Sequence, residues 1–417
     1  MRILYDIKIF FLILFVFSIP FEYWDPLGIA HFFTVTKFAG LLYFVFSLFD
    51  VKNNFTIKYI KTSVFILLYL WLFLLIQGIV NYWYGTTLSV FNFTFFQNII
   101  LFWLISNDLN RNPNIVKKIF LSLVISVFAM ATLASLGVGL NTEIDSELGS
   151  YRLTFFGSNS NTIGNLASIS LLFVLAMVIN KRDYYGKKTL LLTLSIPSLI
   201  SILSLSGSRG ALFISFIGVV VLLVFQKVSL NRKLILLLVG SVFIFLAINE
   251  IMETEVMQRR ISLTTSEGSI GGRDIIWKHA LDIFYENPFI GVGNTGYQKE
   301  IIQRYGMYLD THNLFLYFMV TGGIVALSLY MAFLFQLFQV SRIFFKYKND
   351  VLLYAILVVY VFSVFKSGGA INSKLSWLLI AIVSGLGVHH KAAANTKIFN
   401  KILDNDKANK KNFPFNI

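Results

Sequence analysis

The stretch MRILYDIKIFFLILFVFSIPFEYW (residues 1–24) indicates a membrane protein, because it places a long apolar run directly behind a basic start. Such a beginning is typical of a secretory signal peptide, which a cleavage site of small residues would end. No such site follows here, and many further apolar runs do. We therefore predict that this stretch is retained as the first transmembrane helix.

The rest of the chain has the same apolar character. Of its 417 residues, 56% are hydrophobic and only 13% are charged, whereas an ordinary soluble domain has about 25% charged residues. Apolar runs of about 17 to 25 residues can cross a bilayer as helices. We count about twelve of them, so the predicted fold class is an all-α polytopic membrane protein with about 12 transmembrane helices. The absence of cysteine excludes disulfides, thiolate metal sites and cysteine nucleophiles.

The net charge of +14 is distributed unevenly along the chain. Lysine and arginine fall mostly on alternate connections between the apolar runs, and the short connections 20–31 and 81–89 contain neither. Short loops rich in these residues stay in the cytoplasm, so both termini are predicted to be cytoplasmic. Orientation and attraction to anionic lipid account for the basic charge better than nucleic-acid binding does.

This layout divides the chain into four parts. Residues 1–251 are predicted to form transmembrane helices 1–9, and residues 313–390 are predicted to form helices 10–12. Between them, residues 252–312 form an extracytoplasmic loop that is too long to be structureless. Residues 391–417 are predicted to be a basic cytoplasmic tail.

The loop contains the stretch GGRDIIWKHALDIFYENPFIGVGNTGYQ (residues 271–298). Apolar residues recur in it at helical spacing and predict a helix from about Arg273 to Glu286. Asn287–Pro288 should end this helix, GVGNTGY predicts a sharp turn, and QKEIIQRYGMY (residues 298–308) predicts a second short helix. By periodicity alone, the loop could equally be an amphipathic cover without chemistry.

Two arginines favour a binding site. Arg273 stands at the predicted helix start, four residues before Trp277, where a cation is unfavourable beside the helix dipole unless an anion binds. Arg209 lies at the outer end of a span, in SLSGSRGALF, where it could simply extend to the membrane interface. The guanidinium group nevertheless suits phosphate oxygens, and two arginines on one side of the membrane could hold a diphosphate.

Three motifs together resemble the O-antigen ligase and O-antigen polymerase superfamily. They are SGSRGALF (206–213), GGRDIIW…NPFIGVGNTGY (271–297) and THNLFLYFMVTGGIVAL (311–327), with YRLTFFGSNSNTIG (151–164) as an additional likeness. The resemblance implies a metal-independent glycosyltransferase of surface polysaccharide and lipopolysaccharide biosynthesis, without a cofactor, in the bacterial inner membrane. Its active site would face the periplasm. Its donor would be a glycan on a polyprenyl diphosphate such as undecaprenyl diphosphate, transferred as a block.

The resemblance also implies roles for individual residues. Arg209 and Arg273 match the arginines that hold the diphosphate, and Arg152 matches an earlier arginine. His312 matches the histidine placed at the start of the following span, which would take the proton of the acceptor hydroxyl. Where the family more often has an Asn-Pro-Asn run, this sequence has FGSNSN, which weakens any role for Asn159 and Asn161.

Several interpretations stay open at this stage. The acceptor could be the lipid A–core glycan, as in a ligase, or another lipid-linked repeat, as in a polymerase. A transporter or flippase of lipid-linked oligosaccharide would share the twelve-span layout, but it should have ionisable residues in mid-membrane, and Lys37 is the clearest one here.

Four other polar residues are ambiguous. Asp310 could orient His312 or merely lie near a helix start, and His279 is predicted to be solvated. Glu22 and Asp25 could supply a second base or belong to an interfacial turn.

Overall fold

The computed structural model describes residues 2–28, 34–80, 90–144, 151–179, 186–226, 273–306, 310–367 and 371–391, together with residues 234 and 258. Apart from these two single residues, the predicted ninth span, the first part of the predicted loop up to residue 272 and the tail after residue 391 lie outside the described residues. The boundaries of the four predicted parts therefore stay predictions.

The described chain is built almost entirely of helices, because a helix satisfies its own backbone hydrogen bonds within a bilayer. The α-helices are α1 (Arg2–Ser18), α2 (Val35–Leu48), α3 (Val51–Asn54), α4 (Lys61–Val80), α5 (Val90–Arg111), α6 (Ile115–Ser135), α7 (Ser160–Ile179), α8 (Ile196–Leu205), α9 (Arg209–Phe225), α10 (Arg273–Glu286), α11 (Gly293–Tyr305), α12 (Leu314–Lys348), α13 (Leu352–Phe365) and α14 (374–391).

Five described helical segments are long and apolar enough to cross a membrane, and four more apolar helices are shorter. The all-α membrane fold is therefore confirmed in the described part of the chain, whereas the number of about 12 spans stays a prediction. The five long segments are Ile3–Phe21, Lys61–Val80, Ile115–Ser135, Ser160–Ile179 and Leu314–Lys348.

A small hairpin that the sequence analysis did not predict precedes α7. Strands β1 (Leu140–Ile144) and β2 (Tyr151–Phe155) pair in antiparallel register. Phe155 is fully buried, and its ring lies 5.8 Å from that of Phe21. Aromatic packing thus anchors the hairpin to the turn that follows α1.

Lys8, on α1, is buried within the bundle. Lys8 Nζ lies 2.5 Å from Asp108 Oδ1 and 2.8 Å from Asn54 Oδ1, and the Tyr43 hydroxyl donates to the other Asp108 oxygen at 2.7 Å. The buried ammonium is paired and hydrogen-bonded, as burial of a charge requires. Lys8 therefore joins α1 to α5 rather than contacting anionic lipid.

The loop helix is confirmed at its predicted bounds, Arg273–Glu286. The second helix begins at Gly293, five residues before its predicted start at residue 298, because the sharp turn is confined to Gly291 and Gly293, which have φ of 66° and 73°. Both helices pack on the first half of α12 through one apolar cluster. Its buried members are Ala280, Ile283, Tyr297, Ile301, Leu316 and Val320.

The turn between α10 and α11 lies against a break in α12. Gly323 interrupts that helix with φ 63° and ψ −160°. The turn satisfies backbone groups that the break releases: Ile324 N donates to Pro288 O at 2.8 Å, and Val292 N donates to Val320 O at 3.0 Å. Irregular backbone can persist in such a protein when it is satisfied by other parts of the chain.

We expect Gly323→Ala to lower the stability of the protein by at least about 2 kcal/mol, since a left-handed backbone and steric overlap each cost about 1–3 kcal/mol. A β-carbon at this position would lie 2.3 Å from the carbonyl carbon and oxygen of Phe289, which are backbone atoms. Thermal unfolding of the purified protein in detergent measures the effect.

Gly306→Ala is the matched control for this change. Gly306 also has a left-handed φ, 74°, but a β-carbon there would meet no atom within 4 Å. It should therefore show the cost of the backbone conformation alone. Equal melting temperatures for the two variants would mean that the contact between the turn and the break does not stabilise the fold.

Candidate functional site

Arg209 is the first residue of α9, and the chain before it is fixed by small polar residues. Ser208 caps the helix by accepting a hydrogen bond from Ala211 N at 3.3 Å, and its hydroxyl donates to Asn161 Oδ1 at 2.8 Å. Gly164 lets α7 approach closely, because a β-carbon there would lie 2.7 Å from the Ala211 β-carbon. Arg209 therefore stands at a rigidly packed helix N-terminus, where the helix dipole also attracts anions.

Arg273 is the first residue of α10, and Trp277, one turn later, fixes the position of that helix. The Trp277 indole Nε1 donates to Thr311 O at 2.9 Å. Its ring also packs edge-on against Phe365, with 5.8 Å between the ring centroids. Trp277 thus ties the helix of Arg273 both to the segment that precedes His312 and to the end of α13.

Lys366, directly after α13, connects the surroundings of the two arginines. A β-carbon on Gly210 would lie 2.5 Å from Lys366 Cδ and 2.9 Å from its Nζ, so the lysine side chain lies over the residue next to Arg209. Its Nζ is buried and has no hydrogen-bond partner in the described part of the chain. The Lys366 amine therefore lies beside the helix start that carries Arg209 and within range of the charge of Arg273. We refer to these three residues as the cationic cluster.

The charge state of Lys366 reflects this environment. Burial, and to a smaller extent the positive charge of Arg273, lower the pKa of Lys366 to about 7. Both effects disfavour the ammonium form when no anion is present. A bound anion would act in the opposite direction and favour the charged form.

Lys366 is absent from the residues predicted from the sequence, although a signal was available. The connection KSGGAINSK (residues 366–374) carries two lysines on the same side of the predicted topology as the short connections 20–31 and 81–89, which carry none. A basic residue that departs from the orientation pattern is a candidate for a specific role.

His312 precedes α12 in an unusual backbone conformation. Its φ is 48°, a left-handed value that histidine tolerates better than most residues. The side chain is 46% exposed, and its Nδ1 lies 3.6 Å from Asp310 Oδ2. Asn313 caps α12 by accepting from Phe315 N at 2.9 Å and Leu316 N at 3.2 Å.

Arg152 lies in β2, where its Cα pairs with that of Glu143. The contacts of its side chain lie outside the described features. Strand β2 leads into α7 through residues 156–159, and Asn159 begins that helix by accepting from Thr162 N at 2.9 Å. Asn159 and Asn161 therefore have structural contacts, while the role of Arg152 stays a prediction.

Two other residues named in the sequence analysis belong to structural contacts. The predicted solvation of His279 is wrong, since its ring stacks on Tyr305 with the centroids 3.4 Å apart. Glu22 lies 3.9 Å from Lys374 Nζ, which also donates to Asn98 Oδ1 at 2.9 Å. This buried pair joins the turn after α1 to the start of α14, so Glu22 is held by a cation rather than presented as a base.

The fold and this cationic cluster define a class, namely a multi-pass all-α membrane protein with a candidate site for an anionic group. In the described part of the chain, no three His, Asp or Glu side chains gather as metal ligands would. Residues 194–331 match the family model described as O-antigen ligase, and this match supports the resemblance of the chain to the O-antigen ligase and polymerase superfamily. The matched residues include Arg209, Arg273 and His312, whereas Lys366 and Arg152 lie outside them. A search among curated proteins finds no match to this chain.

Proposed function

We propose that this protein transfers a glycan from a polyprenyl diphosphate to a hydroxyl group of an acceptor sugar. The observation that carries the proposal is the convergence of the Arg209 helix start, the Arg273 helix start and the His312 segment on one end of the bundle. Lys366 links the first two, and Trp277 links the second to the third. Cations beside a base are the groups that this transfer requires.

The cations act on the leaving group. When the bond from the anomeric carbon to the phosphate breaks, a negative charge develops on the departing diphosphate. Arginines that are already positioned stabilise this charge without reorganising, and they do so most strongly in the transition state. Arg209 and Arg273 take this role, and Arg152 is a further candidate for it.

The histidine acts on the nucleophile. The oxygen of the acceptor hydroxyl forms a bond to the anomeric carbon, and the electron pair of the broken bond leaves with the polyprenyl diphosphate. His312 accepts the hydroxyl proton as a general base. Because Asp310 lies on the Nδ1 side of the ring, we assign the proton transfer to Nε2.

We assign the cationic end of the bundle to the periplasmic face of the inner membrane. The alternation of lysine and arginine along the sequence supports this orientation, since it assigns the ends of α1, α4, α6 and α13 to the outside. The lipid-linked donor would then enter from the outer leaflet, with its diphosphate at the level of the cluster.

The decisive experiment supplies the purified protein with a lipid-linked repeat unit, with or without a lipid A–core acceptor, and separates the products by size. A ladder formed from the repeat alone identifies a polymerase, and a single transfer onto the core identifies a ligase. If neither reaction forms a new glycosidic bond, while vesicles containing the protein move the lipid-linked sugar across the membrane, the protein is a flippase and the proposal is wrong.

A further inference from the structure

We propose that Lys366 is a direct ligand of the donor diphosphate and completes a three-cation site with Arg209 and Arg273. This inference rests on the proposed function and extends it to a residue outside both the sequence motifs and the matched family segment. The ligand class is a lipid-linked diphosphate, recognised by its charge.

The position of the Lys366 amine supports a role in binding the diphosphate. Lys366 follows α13, and its side chain lies over Gly210, at the N-terminal turn of α9. Glycine at position 210 provides the room, because any β-carbon would overlap the lysine side chain. The Nζ is thereby held beside the residue that follows Arg209, with Arg273 as its charged neighbour.

Lys366 Nζ is buried without a hydrogen-bond partner among the described residues. Burying a charge without a hydrogen bond or an opposite charge is costly. Lys8 and Lys374, which are also buried in the part of the chain that the structure describes, obey this rule, since Lys8 pairs with Asp108 and Lys374 donates to Asn98. If the Lys366 side chain served only to stabilise the fold, an apolar side chain would do so better. The unsatisfied amine therefore indicates a group that binds an anion.

The charge of the ligand determines how much a third cation can contribute to binding. A lipid diphosphate carries more negative charge and more acceptor oxygens than a lipid monophosphate. A third cation in a partly dry site should therefore contribute more to binding a diphosphate than to binding a monophosphate. Lys366 would in this way help the protein to distinguish the activated donor from monophosphate-linked lipids.

The test measures binding of farnesyl diphosphate and farnesyl monophosphate to the purified full-length protein in detergent by calorimetry. For Lys366→Met we expect the Kd of farnesyl diphosphate to rise by about 10- to 100-fold, the range of a hydrogen bond to a charged group. The Kd of the monophosphate should rise less. Lys366→Arg should restore part of the affinity, and Lys278→Met, which removes an exposed cation from α10, should leave both values unchanged.

Thermal unfolding without ligand distinguishes this role from a structural one. Since Lys366→Met removes an unsatisfied buried amine, the variant should melt at the same temperature as the wild type or higher. A lower melting temperature together with unchanged diphosphate affinity would show a structural lysine and overturn the inference.

The binding data also separate this inference from the proposed function. If the wild type binds farnesyl diphosphate, Arg209→Ala and Arg273→Ala weaken binding, and Lys366→Met does not, then only the role of Lys366 is wrong. If the wild type binds neither lipid, the inference and the proposed function fail together.

Discussion

Replacing Arg273 with alanine is expected to slow glycan transfer by about 10²–10³-fold, and replacing Arg209 should have an effect of the same order. Each arginine stands at a helix start that is fixed by packing, Arg209 next to the Ser208–Asn161 hydrogen bond and Arg273 one turn before Trp277. Such groups stabilise the departing diphosphate without reorganising. The measurement is the initial transfer rate of the purified protein at saturating lipid-linked donor.

Arg304→Ala is the matched control, because it removes an arginine from the same part of the chain. Arg304 lies on α11 and pairs with Glu286 at 2.6 Å and Glu300 at 2.8 Å. The Arg304 side chain is more exposed to solvent than those of Arg209, Arg273 and Lys366. Exposed ion pairs contribute only about 0–1 kcal/mol to the stability of a protein. Transfer by this variant should stay near the wild-type rate. Near wild-type transfer by both Arg209→Ala and Arg273→Ala would instead refute the role of the cluster in the reaction.

Replacing His312 with asparagine is expected to lower the turnover rate by about 10²–10⁴-fold, the usual contribution of a general base. Asparagine is preferred to alanine for this test because it tolerates the left-handed φ of 48° at this position, and it cannot accept the proton. The affinity for farnesyl diphosphate should change little, since the proposed role concerns the acceptor hydroxyl. Single-turnover rates and calorimetric binding on the same preparation give both quantities.

The opposite pattern would assign His312 to a different role. If His312→Asn weakens diphosphate binding and leaves single-turnover chemistry intact, the imidazole is part of the anion site. Asp310→Asn provides a comparison, because the carboxylate lies 3.6 Å from Nδ1 and could act only by orienting the ring. Its effect on turnover should be smaller than that of His312→Asn.

Much of this protein could be predicted from local sequence. The apolar runs indicated an all-α membrane protein, and Asn287–Pro288 marked the end of the helix that begins at Arg273. The motifs around Arg209, Arg273 and His312 lie within the segment that matches the O-antigen ligase family. These inferences succeeded because helix periodicity, helix ends and membrane burial depend on residues that are near each other in the chain.

Other features could not be predicted, because they depend on contacts between distant segments. The stacking of His279 on Tyr305 requires α10 and α11 to pack together. The break at Gly323 is stable because the turn after α10 supplies hydrogen bonds to it. The hairpin before α7 depends on aromatic packing against Phe21.

Local sequence was therefore enough to predict helices that cross a membrane and to select two arginines and a histidine for testing. The position of Lys366 over Gly210, 156 positions earlier in the chain and within range of the charge of Arg273, emerges only from the packed fold. The physical reason is that hydrophobicity and helix propensity act locally. The burial of the Lys366 amine beside the start of α9 requires α9 and α13 to pack together, and the charge of Arg273 acts on it only once α10 is in place.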